Sequence, residues 1–95
     1  MNKKRKRISG GQAAVQSLKK EKVKHVFGLI GSATMEMFDA LYHEQSITFI
    51  GVRDERTGTH MADGYARASN RPGVIIAGQN GPGATNLVTG VAQAK

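Results

Sequence analysis

The sequence predicts an α/β fold in three layers, a parallel sheet with helices on both faces. Three short apolar runs, each long enough for one buried strand, alternate with segments whose apolar residues recur at helical spacing. Such alternation is typical of strand–helix–strand units, which place parallel strands side by side through right-handed crossovers. The chain has 95 residues, which is enough for one small domain and too few for two.

Each predicted element has its own local signal. Ser9 and Gln12 have the spacing of a capping box, so we expect the first helix to begin there and to run to about Lys22. The predicted strands are residues 25–30, 47–52 and 74–77. A second helix follows the first strand, and a third follows the second strand, with Asp54 as its N-cap. The last segment, around residues 84–92, is also predicted to be helical because its apolar residues lie three and four apart.

Most of the net charge of +7 comes from one cluster near the start of the chain. The cluster consists of Lys3, Lys4, Arg5, Lys6 and Arg7. We therefore predict a solvated basic arm over residues 1–8 and a folded domain over residues 9–95. A basic nucleic-acid-binding module is one alternative function, but nothing near the arm supplies the aromatic platforms or the recognition helix that nucleic-acid binding needs.

Composition narrows the remaining classes of protein. Cysteine is absent, which excludes a disulfide framework and a thiolate metal or redox site. No apolar run approaches the length of a membrane span, and the start lacks the hydrophobic segment of a signal peptide, so we expect a cytoplasmic protein without a membrane partner. The three histidines, His25, His43 and His60, have no second ligand at metal-binding spacing and are interpreted as structural or surface residues.

Glu55 is the first candidate for a functional residue. It lies where the second predicted strand ends and a helix begins, which is the usual edge for a ligand site in an open parallel sheet. Taken alone, a carboxylate there is also typical of a first-turn residue that interacts with the helix dipole. Burial would raise the pKa of Glu55 and the helix N-terminus would lower it, and the sequence leaves that balance open.

A glycine-rich segment, residues 81–90, is the second candidate. Glycines between a strand and a helix allow a ligand to approach backbone amides. As a dinucleotide-binding fingerprint the segment is weak, because Asn86 replaces the third glycine and Pro82 lacks an amide donor. A Rossmann-like nucleotide binder is therefore kept only as an alternative.

Together these segments resemble the pyrimidine-binding domain of thiamine-diphosphate enzymes. The resemblance is carried by Glu55 with the Met61–Arg67 run, by residues 28–33 and by residues 81–90. It implies a partial thiamine-diphosphate-binding fold, with thiamine diphosphate as cofactor. It also implies that Glu55 is catalytic and accepts a hydrogen bond from N1′ of the aminopyrimidine ring. The cofactor-binding residues it implies are Glu55, Gly31, Pro82 and Asn86.

Two finer similarities concern the reaction. Residues 30–33 and 79–83 are more similar to sulfoacetaldehyde acetyltransferases than to acetolactate synthases. Sulfoacetaldehyde acetyltransferases convert sulfoacetaldehyde and phosphate to acetyl phosphate and sulfite. An acetolactate-synthase-like enzyme is the alternative within the family. Asp54 stands where the family usually has histidine, and its negative charge would disfavour ionisation of Glu55.

The resemblance also implies that other protein parts are needed. The family holds the diphosphate and Mg²⁺ with a separate domain that carries a Gly-Asp-Gly motif, which does not occur in these 95 residues. We therefore expect a fragment or a split subunit that is inactive alone. Its expected partner is a second copy or a complementary subunit, and its expected substrate is a small 2-oxo compound or aldehyde.

Overall fold

The computed structural model describes residues 7–78 and 80–95. Most of the predicted basic arm, residues 1–6, lies outside the described residues, as does Gln79 of the second glycine-rich run. The helices and strands in the described part are α1 (Gly10–Lys20), β1 (His25–Gly28), α2 (Met35–Tyr42), β2 (Thr48–Gly51), α3 (Glu55–Ser69), β3 (Val74–Ile76), α4 (Asn80–Thr85) and α5 (Val88–Ala94), with a 3₁₀ turn at Ser32–Thr34 before α2. None of these helices is long and apolar enough to cross a membrane.

The three strands form a parallel sheet in the order β2-β1-β3, so that β1 lies in the middle. In β1, Val26 is aligned with Phe49 of β2 and with Val74 of β3. The parallel sheet with its flanking helices confirms the predicted α/β class.

Helices cover both faces of the sheet. Successive residues of β1 point to opposite faces, so neighbouring residues contact different helices. Val26 is fully buried in a cluster with Val15 of α1 and Phe38 of α2. The next residue, Phe27, makes an edge-on ring contact with Tyr65 of α3, with the ring centroids 5.9 Å apart. The first two helices therefore lie on one face, and α3 lies on the other with α5 packed against it.

The start of α1 confirms the predicted capping box. The Ser9 hydroxyl accepts a hydrogen bond from the backbone N–H of Gln12 at 3.1 Å, and the Gln12 side chain accepts one from the backbone N–H of Ser9 at 2.9 Å. Both bonds satisfy N–H groups that the helix itself cannot pair. The helix ends at Lys20, slightly earlier than predicted, and the chain turns at Lys22, which has a left-handed φ of 62°.

Two predicted boundaries were wrong. The predicted strand 25–30 ends at Gly28, because Gly28 is aligned with the last residues of both neighbouring strands, Gly51 and Ile76, and no strand continues beside it. The predicted final helix is divided into α4 and α5. At the division, Leu87 donates its backbone N–H to the carbonyl of Ala84, a tighter bond than the α-helical pattern.

Gly11 allows α1 to pack closely against the start of α2. A Cβ atom at this position would lie 2.6 Å from the backbone carbonyl carbon of Glu36, whereas a Cβ at Gly10 would meet nothing within 4 Å. We expect Gly11→Ala to lower the free energy of unfolding by about 1–3 kcal/mol, because backbone atoms must move apart. The matched control Gly10→Ala should be neutral or slightly stabilising. Urea unfolding followed by circular dichroism checks both, and equal effects would contradict the packing described.

Candidate functional site

The candidate site lies at the carboxyl ends of the three strands. The chain continues from β1 into α2 on one face of the sheet, and from the neighbouring strand β3 towards α5 on the other face. Adjacent strands whose connections leave in opposite directions open a crevice at this edge, and ligands of open α/β sheets bind there. Gly31 follows β1, Glu55 follows β2 and Gly78 follows β3, so all three meet at this edge.

Glu55 is a buried carboxylate with a protein donor on each oxygen. The residue is only 4% exposed, although it begins a helix. Its Oε2 accepts a hydrogen bond from the backbone N–H of Gly78 at 2.9 Å, and its Oε1 accepts one from Nδ2 of Asn86 at 3.1 Å. A buried carboxylate needs such donors, because it has lost the hydrogen bonds of water. The three residues come from three different connections of the fold, and the two bonds join them.

Two glycines lie against this carboxylate, and a third glycine lies against one of them, at distances that leave no room for side chains. A Cβ atom at Gly78 would lie 2.8 Å from Oε2 of Glu55, and one at Gly83 would lie 3.3 Å from the same oxygen. Gly31 packs against Gly78, since a Cβ there would lie 2.9 Å from the Gly78 carbonyl carbon. Gly31 was predicted from the sequence as a site residue and Gly83 lies in the predicted segment 81–90, whereas neither Gly78 nor Gly83 was assigned a role of its own. Their signal was the position of each glycine, one just after a strand and the other within the first turn of a helix.

The four predicted cofactor-binding residues are placed differently. Asn86 contacts the Glu55 carboxylate directly, and Gly31 is linked to it through Gly78. Pro82 is exposed on α4, and its described link to the site is indirect, because its carbonyl accepts the backbone N–H of Asn86 at 3.0 Å. Binding of a cofactor by these four residues stays a prediction.

The pKa of Glu55 lies below its ordinary value of 4.5. The largest cause is the hydrogen bond from the Asn86 amide, and burial, the next, acts in the opposite direction. The backbone N–H groups of Glu55 itself and of Gly78 lower the pKa further, and the charge of Asp54 raises it. Hydrogen-bond donors therefore outweigh burial, and the largest of them, the Asn86 amide, was not part of the balance between burial and helix N-terminus considered from the sequence.

Asp54, whose charge ranks last among these causes, has its own partner. Its carboxylate caps α3 by accepting the backbone N–H of Arg56 at 2.8 Å, and it also pairs with the Arg56 guanidinium at 2.6 Å. These bonds lower the pKa of Asp54 to about 2. The negative charge beside Glu55 is thus accompanied by a positive one.

Gly78→Ala should displace the Glu55 carboxylate, because the new methyl group would occupy the space of Oε2. We expect a loss of about 1–3 kcal/mol in the free energy of unfolding, as for other overpacked positions. Gly81→Ala is the matched control in the neighbouring helix, since a Cβ there would meet nothing within 4 Å. Urea unfolding of both variants tests the difference, and a neutral Gly78→Ala would show that the glycine is not required by the carboxylate.

Glu55 should make stability depend on pH in a defined direction. Because its pKa is lower in the folded than in the unfolded chain, it stabilises the fold above pH 4.5, and this contribution is lost as the pH falls through the folded pKa. Glu55→Gln should therefore destabilise the chain more at pH 7 than at pH 3. Urea unfolding of both proteins at the two pH values measures this. An equal difference in the free energy of unfolding at both pH values would contradict the lowered pKa.

Comparisons with known proteins show which family the chain belongs to. The family model described as thiamine pyrophosphate enzyme, N-terminal TPP binding domain, matches residues 8–95. A probable acetolactate synthase large subunit from Methanococcus aeolicus is 49% identical over 87 residues, which cover 92% of this chain and 14% of that protein. Acetolactate synthase isozyme 3 large subunit from Escherichia coli strain K12 is 45% identical over 87 residues, covering 92% of this chain and 15% of that protein. The acetolactate synthase large subunit from Parasynechococcus marenigrum is 46% identical over 91 residues, covering 93% and 15%.

The chain thus spans about one seventh of the length of these relatives. The family match covers nearly all of the chain and confirms the resemblance on which the sequence analysis rested. This chain belongs to the family of N-terminal thiamine-pyrophosphate-binding domains of thiamine pyrophosphate enzymes.

Proposed function

We propose that this chain supplies the pyrimidine-binding part of an acetolactate-synthase-type enzyme, and that Glu55 binds N1′ of the cofactor's aminopyrimidine ring. The observation that carries the proposal is the buried Glu55 carboxylate at the carboxyl edge of the sheet, bordered on one side by glycines. Thiamine diphosphate is the cofactor that family membership implies.

The chemistry of the described residues suits a ring nitrogen that donates a hydrogen bond. Gly78 and Gly83 lie against Oε2 of Glu55, and Gly31 lies against Gly78, so backbone borders this side of the carboxylate. A carboxylate has about four lone-pair positions, so Glu55 can accept a further hydrogen bond beside those from Gly78 and Asn86. These residues would therefore hold the pyrimidine end of the cofactor.

Glu55 is the residue through which this chain would take part in the reaction. Bound thiamine diphosphate supplies a carbon nucleophile for making or breaking a carbon–carbon bond beside a carbonyl group. Its hydrogen-bond donors keep Glu55 ionised despite its burial, so it can accept a hydrogen bond from a ring nitrogen. Its burial excludes much of the water that would compete for the same oxygens.

The relatives favour the acetolactate-synthase type over the acetyltransferase expected from the sequence. The three relatives described above are named acetolactate synthases. Sulfoacetaldehyde acetyltransferase is the second candidate, and it is favoured by the Ile-Gly-Ser-Ala sequence of residues 30–33. The substrate would be a small 2-oxo acid in the first case and an aldehyde in the second.

The proposed function needs a partner for the rest of the active site. We propose that residues 9–95 are a folded domain preceded by a basic arm at 1–8, and that another domain binds the diphosphate and Mg²⁺. That domain would belong to a second copy or to a complementary subunit. The relatives' names describe them as large subunits, which supports an assembly of more than one chain.

A chimera tests the proposal directly. Residues 8–95 replace the aligned segment of the Escherichia coli isozyme 3 large subunit, with which they share 45% identity. We expect the chimera to bind thiamine diphosphate with Mg²⁺ in calorimetry and to form acetolactate from pyruvate. Glu55→Gln should reduce kcat about a hundredfold or more, as expected when a residue that exchanges a proton is lost.

Glu21→Gln is the matched control, since Glu21 is exposed at the end of α1 on a different element. It should leave both binding and activity unchanged. A folded chimera that keeps full activity after Glu55→Gln would contradict the proposed role. The same graft in a sulfoacetaldehyde acetyltransferase separates the two candidates, because the better-matched host should retain more of its own activity.

A further inference from the structure

We propose that Asn86 is a positioning residue that orients the Glu55 carboxylate towards the pyrimidine ring. This inference rests on the proposed function and gives Asn86 a different role from the direct cofactor contact that the sequence suggested. Its amide nitrogen donates to Oε1 of Glu55 at 3.1 Å, while the backbone N–H of Gly78 donates to Oε2 at 2.9 Å. The two donors thus hold different oxygens of one carboxylate.

Two donors on separate oxygens define the plane of the carboxylate. The last torsion of a glutamate side chain has a broad energy profile, so one hydrogen bond would leave the group free to rotate. With Gly78 on one oxygen and Asn86 on the other, rotation would break at least one bond. The carboxylate also lies against Gly83, where even a Cβ atom would come within 3.3 Å of Oε2. The remaining lone pairs therefore point in fixed directions.

Asn86 is itself held in place by the backbone around it. It is half-buried at the junction of α4 and α5, and its N–H donates to the carbonyl of Pro82 at 3.0 Å. The start of α5 follows directly, and α5 packs against α3 through Gly90, which lies against the side chain of Thr59.

The contact at Thr59 closes a loop of interactions back to Glu55. The Thr59 hydroxyl donates to the backbone carbonyl of Glu55 at 2.6 Å. The helix that carries Glu55 therefore also fixes the helix that follows Asn86, so the distance between the two side chains is set by helix packing. A side chain held in this way can orient its neighbour, which a mobile surface amide could not do.

The first test follows the titration of the Glu55 carboxyl carbon by NMR in the 95-residue chain, without any cofactor. In Asn86→Ala the pKa of Glu55 should rise, because the largest cause of its low value is removed. In Asn86→Asp, which keeps the shape of the side chain, it should rise further, because a like charge replaces the donor. Thr85→Ala is the matched control. Its hydroxyl bonds only to the α4 carbonyls of Gly81 and Pro82 among the described contacts, so the Glu55 titration should not change.

The second test uses the chimera described above and separates positioning from cofactor contact. Asn86→Ala should lower kcat by up to about a hundredfold, as misplacement of a reacting group does. The acid limb of the pH profile should move to higher pH, and half-saturation by thiamine diphosphate should change much less. A large loss of cofactor affinity with unchanged kcat would make Asn86 a cofactor contact and overturn the inference.

The two proposals fail in different ways. An unchanged Glu55 titration in both Asn86 variants would overturn the positioning role, whatever the chimera does. A shifted titration together with an active Glu55→Gln chimera would overturn the proposed function instead. Should Asn86→Ala fail to fold, Asn86→Ser decides the question by the same titration, because it removes the amide donor and adds no charge beside Glu55.

Discussion

The hydrogen bonds to one buried carboxylate connect the separate parts of this fold. Glu55 starts α3 after β2, Gly78 ends the segment after β3, and Asn86 lies after α4. The three residues belong to different connections of the fold. Moving any one of them would leave an oxygen of the buried carboxylate without its hydrogen-bond donor. The position of the loop after β3 is therefore set by the need to satisfy Glu55 as well as by the sheet.

Local electrostatics make the buried charge tolerable. Asp54 precedes Glu55, and two adjacent carboxylates would normally raise each other's pKa. The Arg56 guanidinium pairs with Asp54, and Asp54 in turn caps the helix. Glu55 is left with its own donors, so it is ionised even though it is buried and next to another acid.

Local patterns in the sequence predicted the fold class and the starts of α1 and α3. The capping box of Ser9 and Gln12 and the Asp54 cap are interactions over two or three residues, which a sequence pattern can show. The order of the strands was not predicted, because apolar runs do not specify their neighbours. The end of β1 at Gly28 depends on where β2 and β3 end, so the sequence of β1 alone overestimated its length.

The candidate site was predictable as a set of residues but not as a set of contacts. Glu55 and Asn86 were singled out from separate motifs, and their hydrogen bond spans 31 positions of the chain. Gly78 was not singled out, because its role comes only from the approach of the carboxylate. A position next to a helix start indicates where a ligand could bind, whereas the tertiary contacts decide which side chains meet there.

The arrangement supplies two properties that a proton-exchanging carboxylate needs. It must be ionised at neutral pH, and its lone pairs must point in a fixed direction. In this chain the same two hydrogen bonds serve both needs, because donors that favour the charged form also hold the carboxylate plane. Under the positioning role proposed for Asn86, ionisation and orientation of Glu55 are therefore coupled.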